Sequence, residues 1–284
     1  MRTYLECVPC FMDQALRAAR MGTADPALHE AVLRDVASRV ASLDLSRTPP
    51  EMGRVIHAIV RRVTGNVDPY AAIKRSFTDA ALEILPELQG LVDESRDRFE
   101  TAVRVAIAGN IIDLGSHPDL QLDDLRSSLE DALRAPLDPV GLERLRELCG
   151  SGDDVLYIGD NAGETVFDRV LLAEIPADRL TYAVRRRPVI NDATRADAVA
   201  AGIDAVAEIM DSGGDAPGTL IGQAGEEFRE RFHQADCVIA KGQGNYETLS
   251  GAGREVVFLL RVKCPVIARD VGATVGDCLV RPAP

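Results

Sequence analysis

The chain has 284 residues, 46% of them hydrophobic and 27% charged, with 32 Lys and Arg against 45 Asp and Glu for a formal net charge of −13. That length and composition suit one large domain or two modest ones with a real core. The acidic balance, with no long basic run, argues against a duplex nucleic-acid or anionic-membrane surface. No apolar signal core follows residues 1–6 and no stretch of about 18 apolar residues exists to span a bilayer, so the expected compartment is the cytoplasm.

Near the start, Cys7 and Cys10 form a Cys-x-x-Cys pair. They read either as reduced, partly buried thiols opening a helix or, joined by Cys264 if the chain ends meet, as a metal or redox cluster. With Cys149, Cys237 and Cys278 they are too few and too scattered for a disulfide scaffold. Cys7 and Cys10 lie far along the chain from the acidic motif described next, so they are expected to be dispensable for turnover.

From Phe11 to about Leu148, apolar residues recur mostly at helical spacing, as in Leu28, Val32, Leu33, Val36, Val40 and Leu43, or Ile73, Phe77, Ala80, Ala81, Ile84 and Leu85. Pro- and Gly-bearing breaks punctuate this half, among them Thr48-Pro49-Pro50 and Gly115-Ser116-His117-Pro118. After Gly150-Ser151-Gly152, short β-branched runs alternate with helical ones. Strands are expected at 155–158, 180–184, 237–240 and 255–260, with another near Ala205-Val206. The predicted fold is therefore α/β: a helical N-terminal domain over 1–150, and over 151–284 a Rossmann-like three-layer α/β/α domain with a mainly parallel sheet. The Gly213-Gly214-Asp215-Ala216-Pro217-Gly218 stretch reads as a loop, either a lid or a plain connection.

Three of these strands end on polar residues. One runs into Asp160-Asn161-Ala162-Gly163-Glu164, one into Pro188-Val189-Ile190-Asn191-Asp192, and one into Lys241-Gly242-Gln243-Gly244-Asn245-Tyr246-Glu247. In an open parallel sheet the strand C-termini share one edge, where ligands bind. Asp160, Asn161 and Asp192 would offer a divalent ion two carboxylates and an amide oxygen, a hard donor set suited to magnesium or manganese. Lys241 would place a point charge on a phosphate, the Gly242 backbone would approach closely, and Asn245 would add an amide donor. Glu164 and Asp168 share one helical face, where they either stabilise the helix or, for Glu164, support the Asp160-Asn161 ligands from behind or serve as acid–base. Arg185 and Arg187 precede the Pro188 turn and would hold a sugar or a second anion. The catalytic candidates are thus Asp160, Glu164 and Lys241.

These blocks, together with Cys7-Val8-Pro9-Cys10, Asp68-Pro69-Tyr70, Ala108-Gly109-Asn110 and Lys263-Cys264-Pro265-Val266-Ile267-Ala268-Arg269-Asp270, resemble the metal-dependent damage-control phosphatases. That family is also called the acidic-residue-methyltransferase-like domain family, and the likeness is to its stand-alone prokaryotic branch. The resemblance implies metal ligands at Asp160, Asn161 and Asp192, with cobalt or nickel as further metals. It also implies that the segment holding Asn110, and with it Asp113, faces the substrate. Small phosphorylated metabolites, such as sugar phosphates or damaged side products, are the implied substrates, attacked by metal-activated water. Gln243 departs from other branches, which carry Asp there, so no acid catalyst is assigned at that position.

The histidines His29, His57, His117 and His233 have no paired spacing for a zinc helix motif, no Gly-x-Ser-x-Gly elbow is present, and Gly242-Gln243-Gly244 fails to complete a dinucleotide fingerprint. Two rivals stand beside the phosphatase reading: carboxyl methyl transfer, and a non-catalytic metal- or metabolite-binding protein.

Overall fold

Local chemistry sets the helix boundaries of the first half. The structure, a computed structural model, describes residues 1–110 and 122–283. Helices run over α1 (Cys7–Gly22), α2 (Pro26–Val40), α3 (Pro49–Thr64), α4 (Ala71–Asp93), α5 (Arg98–Gly109), α6 (Leu122–Arg134) and α7 (Pro139–Ser151). The Thr48-Pro49-Pro50 break is the start of α3: Thr48 and Glu51 close a capping box, with the Thr48 amide donating to Glu51 Oε2 at 2.8 Å, and Pro49 fits the first helical position because its missing N–H has no intrahelical partner there. Gly65 ends the helix with φ +72°, a conformation that favours glycine.

The second half alternates strand and helix: β1 (Asp154–Ile158), α8 (Glu164–Leu172), β2 (Arg179–Val184), α9 (Arg195–Ala200), β3 (Glu208–Asp211), α10 (Glu226–Gln234), β4 (Cys237–Lys241), α11 (Gly242–Leu249), β5 (Val256–Arg261), α12 (Pro265–Val271) and β6 (Cys278–Ala283). The sheet order is β3-β2-β1-β4-β5-β6, parallel throughout except for β6, which pairs antiparallel with β5. The fold is thus the expected mixed α/β with a mainly parallel sheet. Two details differ from the sequence expectation. The strand placed near Ala205-Val206 forms at Glu208–Asp211, because Ile203–Ala205 is a 3-10 turn, and the antiparallel edge strand β6 carried no signal that was read.

Strand alternation sorts side chains between two cores. On one face Val155, Tyr157, Tyr182, Ile239 and Leu259 pack with α4, α5, α7 and α8. On the other, Leu156, Ile158, Val238, Ala240 and Phe258 pack with Phe228 and Phe232 of α10, Leu249 of α11 and Ile267 of α12. A third cluster joins α1, α2 and α3 through Phe11, Ala15, Val32, Val36, Ile56 and Val60. The boundary at residue 150 falls at the end of α7, and the first core runs continuously across it.

His57 of α3 is buried at 3% exposure, and its Nε2 has no hydrogen-bond partner among the described residues. Burial, and then the charge of Arg61, push its pKa down from 6.5 to about 3. The unfolded chain takes up a proton below pH 6.5 while the folded one does not, so this group's contribution is present above pH 6.5 and is lost as pH falls toward 3. Between pH 6.5 and 5 the loss should be about 2 kcal/mol. Urea titrations at pH 7 and pH 5 should show His57→Phe losing less stability than the parent by about that amount; equal losses would remove His57 from the pH dependence.

Candidate metal and phosphate site

The site lies where the sheet order reverses, between the C-terminal ends of β1 and β4, the crevice position of open α/β sheets. Backbone hydrogen bonds stitch the loop after β1 to the loop after β2: Ala162 N–H donates to Asn191 O at 2.8 Å, and Ala193 N–H to Asp160 O at 2.7 Å. Asn161 and Asp192 form an isolated antiparallel bridge. Asp160, Asn161 and Asp192, distant in sequence, thereby share one wall of a cleft of about 320 Å³.

The carboxyl groups are held by donors from behind. Asp160 Oδ2 accepts from Asn110 Nδ2 and from Asn161 Nδ2, each at 3.1 Å, and Asp192 Oδ2 accepts from Arg185 Nε at 2.7 Å. Among the described residues nothing donates to Asp160 Oδ1, Asn161 Oδ1 or Asp192 Oδ1. Burial raises Asp160 well above the ordinary carboxylate range, and the nearby charges of Glu164 and Asp192 add to it. Burial also lifts Asp192, to about 6, against the pull of Arg185. Two crowded carboxyl groups and an amide oxygen without donors form a hard set that fits a divalent cation. No three His, Cys, Asp or Glu side chains among the described residues make a metal cluster on their own, so the amide is needed.

Gly242 brings α11 against this set. Its φ is +77°, and a Cβ added there would lie 1.8 Å from Asp160 Oδ2. Gly242→Ala should therefore displace the Asp160 carboxylate and lower kcat/KM for a phosphomonoester by about 100-fold, as misplacements near 1 Å do. Gly65→Ala is the control, because Gly65 has the same sign of φ with nothing within 4 Å. Equal activity in the two variants would refute the steric argument.

Behind the cleft lies a second, fully buried layer. Glu164 Oε1 accepts from Asn110 Nδ2 at 2.8 Å and from Asn161 Nδ2. Lys241 donates to Asp168 Oδ1 at 2.5 Å, to Ala106 O at 2.7 Å and to Glu164 Oε2 at 3.4 Å. Asp168 also accepts from Tyr157 and Tyr182 at 2.8 and 2.7 Å.

Several residues thus stand elsewhere than the sequence reading placed them. Lys241 shares its strand face with Cys237 and Ile239, so alternation turns it under the sheet edge onto α8, where it is 0% exposed and without access to a substrate phosphate. Glu164 is likewise 0% exposed and orients the two amides, which is the supporting place read for it and not the acid–base one, since it does not face the cleft. Asn110 spends its amide on Asp160 and Glu164, and its Oδ1 accepts from Arg261 N–H at 3.2 Å. Asn245 is buried and saturated, donating to Gly159 O and Lys241 O while accepting from Arg185 and Thr219. Arg185 is enclosed between Asp192, Thr219 and Asn245 and holds no ligand. Arg187 is exposed beside Arg61 and does not line the cleft. Asp113 lies outside the described residues.

The chain ends do meet at the site. Cys7 and Cys10 from the start of α1, and Lys263 and Cys264 before α12, line the same cleft as Asp160 and Asp192. Distance along the chain was a poor guide to the place of the thiols. Lys263 was missed, although it follows an apolar strand just as Lys241 ends one; it is exposed, and its charge acts on Asp160. The glycine-rich stretch after β3 is a docked wall of the cleft: Pro217 lines it, packed so closely on α3 that a Cβ at Gly53 would lie 2.7 Å from Pro217 Cγ.

Residues 3–279 match the damage-control phosphatase ARMT1-like domain. The chain belongs to this family. A damage-control phosphatase of Archaeoglobus fulgidus is 35% identical over 97% of both chains. One from Pyrococcus horikoshii is 31% identical over 97% of this chain and 96% of that one. The crystal structure of a DUF89 family protein from Pyrococcus horikoshii superposes with a TM-score of 0.91 at 30% identity, covering 100% of both chains. Membership supports a phosphatase enzyme, and among the described residues no helix is long and apolar enough to cross a membrane.

Proposed function

We propose that the protein is a divalent-metal-dependent phosphomonoester hydrolase acting on small phosphorylated metabolites, sugar phosphates or damaged side products among them. The observation that carries this reading is the set of donor-free oxygens on Asp160, Asn161 and Asp192, on one cleft wall with the exposed ammonium of Lys263. Oxygen-only donors favour magnesium or manganese over softer ions. When bound, such an ion withdraws charge from a phosphoryl oxygen and lowers the pKa of water. The protein's own groups do the rest. Lys263 neutralises phosphate charge, Asn110 and Asn161 hold the Asp160 carboxylate, Arg185 holds that of Asp192, and Glu164 fixes both amides from below. All six cysteines are free thiols, in keeping with a reducing compartment such as the cytoplasm.

The test is phosphate release from a panel of sugar phosphates by metal-stripped protein, with and without added manganese or magnesium. Turnover that appears only with metal supports the reading. No release from any compound in either condition would return the choice to a binding protein, and methyl incorporation would identify a transferase. Lys263→Ala should raise KM by about tenfold or more at unchanged metal affinity, because it removes a cation from substrate and not a metal ligand. An unchanged KM would take Lys263 out of phosphate binding.

A further inference from the structure

Hydrolysis of a sugar phosphate needs a proton for the departing oxygen, which is a poor leaving group as an alkoxide. Four carboxyl groups line the cleft among the described residues: Glu6, Asp160, Asp192 and Glu247. Asp160 and Asp192 make the metal wall, and Glu6 is exposed and paired with Arg269 at 2.8 Å. Glu164 and Asp168 are 0% exposed behind that wall. Glu247 of α11, 9% exposed, is the carboxyl that remains.

Its place along α11 suits the task. Gly242 opens that helix against Asp160, Gln243 follows, and Glu247 stands one turn beyond Gln243 on the same helical face. Gln243 Nε2 donates to Glu247 Oε1 at 3.0 Å, while Gln243 Oε1 accepts from the Lys263 N–H at 3.3 Å. One side chain thus links the lysine assigned to the phosphate with this carboxyl, and among the described residues nothing donates to Glu247 Oε2.

Burial lifts the Glu247 carboxyl from 4.5 to about 7, against the Gln243 hydrogen bond and the charge of the Met1 ammonium, which donates to Glu247 O at 2.8 Å. From α1 it is faced by Cys7 and Cys10, thiols that burial raises, and by Glu6 in its pair with Arg269. The segment before α12 brings Lys263 and Cys264, and α3 brings only Pro49, Pro50 and Gly53 to the cleft.

From this geometry we infer that Glu247 is the general acid that protonates the leaving ester oxygen, with Gln243 as the positioning residue that aims it, a role that rests on the phosphatase reading. As the water oxygen bonds to phosphorus and the ester P–O bond breaks, the leaving oxygen takes the Glu247 proton and departs as a hydroxyl group. The proton shed by the water returns through solvent to the Glu247 carboxylate. The acid works while protonated, so its contribution is present below pH 7 and fades as pH rises.

The test, run with manganese, compares fructose 1-phosphate, whose alkoxide needs that proton, with 4-nitrophenyl phosphate, whose phenolate leaves without one. Glu247→Gln keeps the side-chain volume and an oxygen to accept from Gln243. It should lower kcat/KM for the sugar phosphate by about 100-fold or more, with a loss smaller by about tenfold or more for the nitrophenyl ester. It should also abolish the fall of sugar-phosphate kcat/KM above pH 7 and, having lost no metal ligand, keep the parent's rise in melting temperature with manganese. Gln243→Leu should show the same split more weakly. The parent gives a readout that needs no variant: its ratio of kcat/KM, sugar phosphate over nitrophenyl ester, should fall as pH rises through 7. Equal losses for the two esters, or an unchanged pH profile in Glu247→Gln, would overturn the assignment while leaving the phosphatase in place; if only the sugar phosphate is turned over, the pH profile decides. A parent that releases phosphate from neither ester would overturn both.

Discussion

Lys241→Met should destabilise the protein by about 3–5 kcal/mol, the range found when one partner of a buried ion pair is removed. The ammonium is 0% exposed and sits between Asp168 and Glu164, both also 0% exposed. Burial alone would pull its pKa down, but the carboxylates of Asp168 and Glu164 outweigh that and leave it raised. Burial raises Asp168 against the opposing charge of Lys241 and the hydrogen bond from Tyr182. Methionine fills a similar volume but leaves two buried carboxyl groups without their cation. Urea unfolding would measure the loss, and Asp168→Asn in the same chain should recover part of it, since the two changes act on one contact. A loss below about 1 kcal/mol would show that the pair contributes little and that Lys241 has another role. Because Glu164 also holds the Asn161 amide, the variant should weaken metal binding too, an effect to read from the metal dependence of activity.

Asp160→Ala should lower kcat/KM by about a thousandfold or more, equivalent to about 4 kcal/mol of barrier. The substitution removes one of the donor-free oxygens and the acceptor that positions both Asn110 and Asn161. A saturating divalent ion should stabilise the parent by about 2.7 kcal/mol at a hundredfold excess over Kd, and both Asp160→Ala and Asp192→Ala should erase most of that gain. The melting temperature with and without manganese is the measurement. A full metal-induced rise in either variant would place the ion elsewhere, whatever happens to activity.

Much of this architecture was legible from local pattern. β-Branched runs closing on polar residues marked β1, β2, β4 and β5, because such residues suit the pleated sheet and strand order puts their ends on one edge. Thr48-Pro49-Pro50 read as a break in the helical pattern, and it is the capped start of α3. β3 was displaced by a 3-10 turn and β6 went unread, since their pairing depends on neighbours far away in the chain.

The residue types of the site, Asp160, Asn161 and Asp192 at successive strand ends, came from the sequence by itself, as did the acidic balance and the want of a histidine or serine catalytic pattern. Which way each side chain points came only from the tertiary structure. Lys241 and Lys263 both follow apolar strands, but Lys241 keeps the face of Cys237 and Ile239 and is driven under the sheet onto Asp168, while Lys263 lies two residues beyond β5 and reaches the cleft. Asn110 and Glu164 were recognised as site residues, and only packing showed that their polar atoms are consumed in holding Asp160 and Asn161. The meeting of Cys7, Cys10 and Cys264 at one wall could not be read locally either. Sequence pattern reports a residue's neighbours within an element, whereas its partners across a cleft are set by how elements pack.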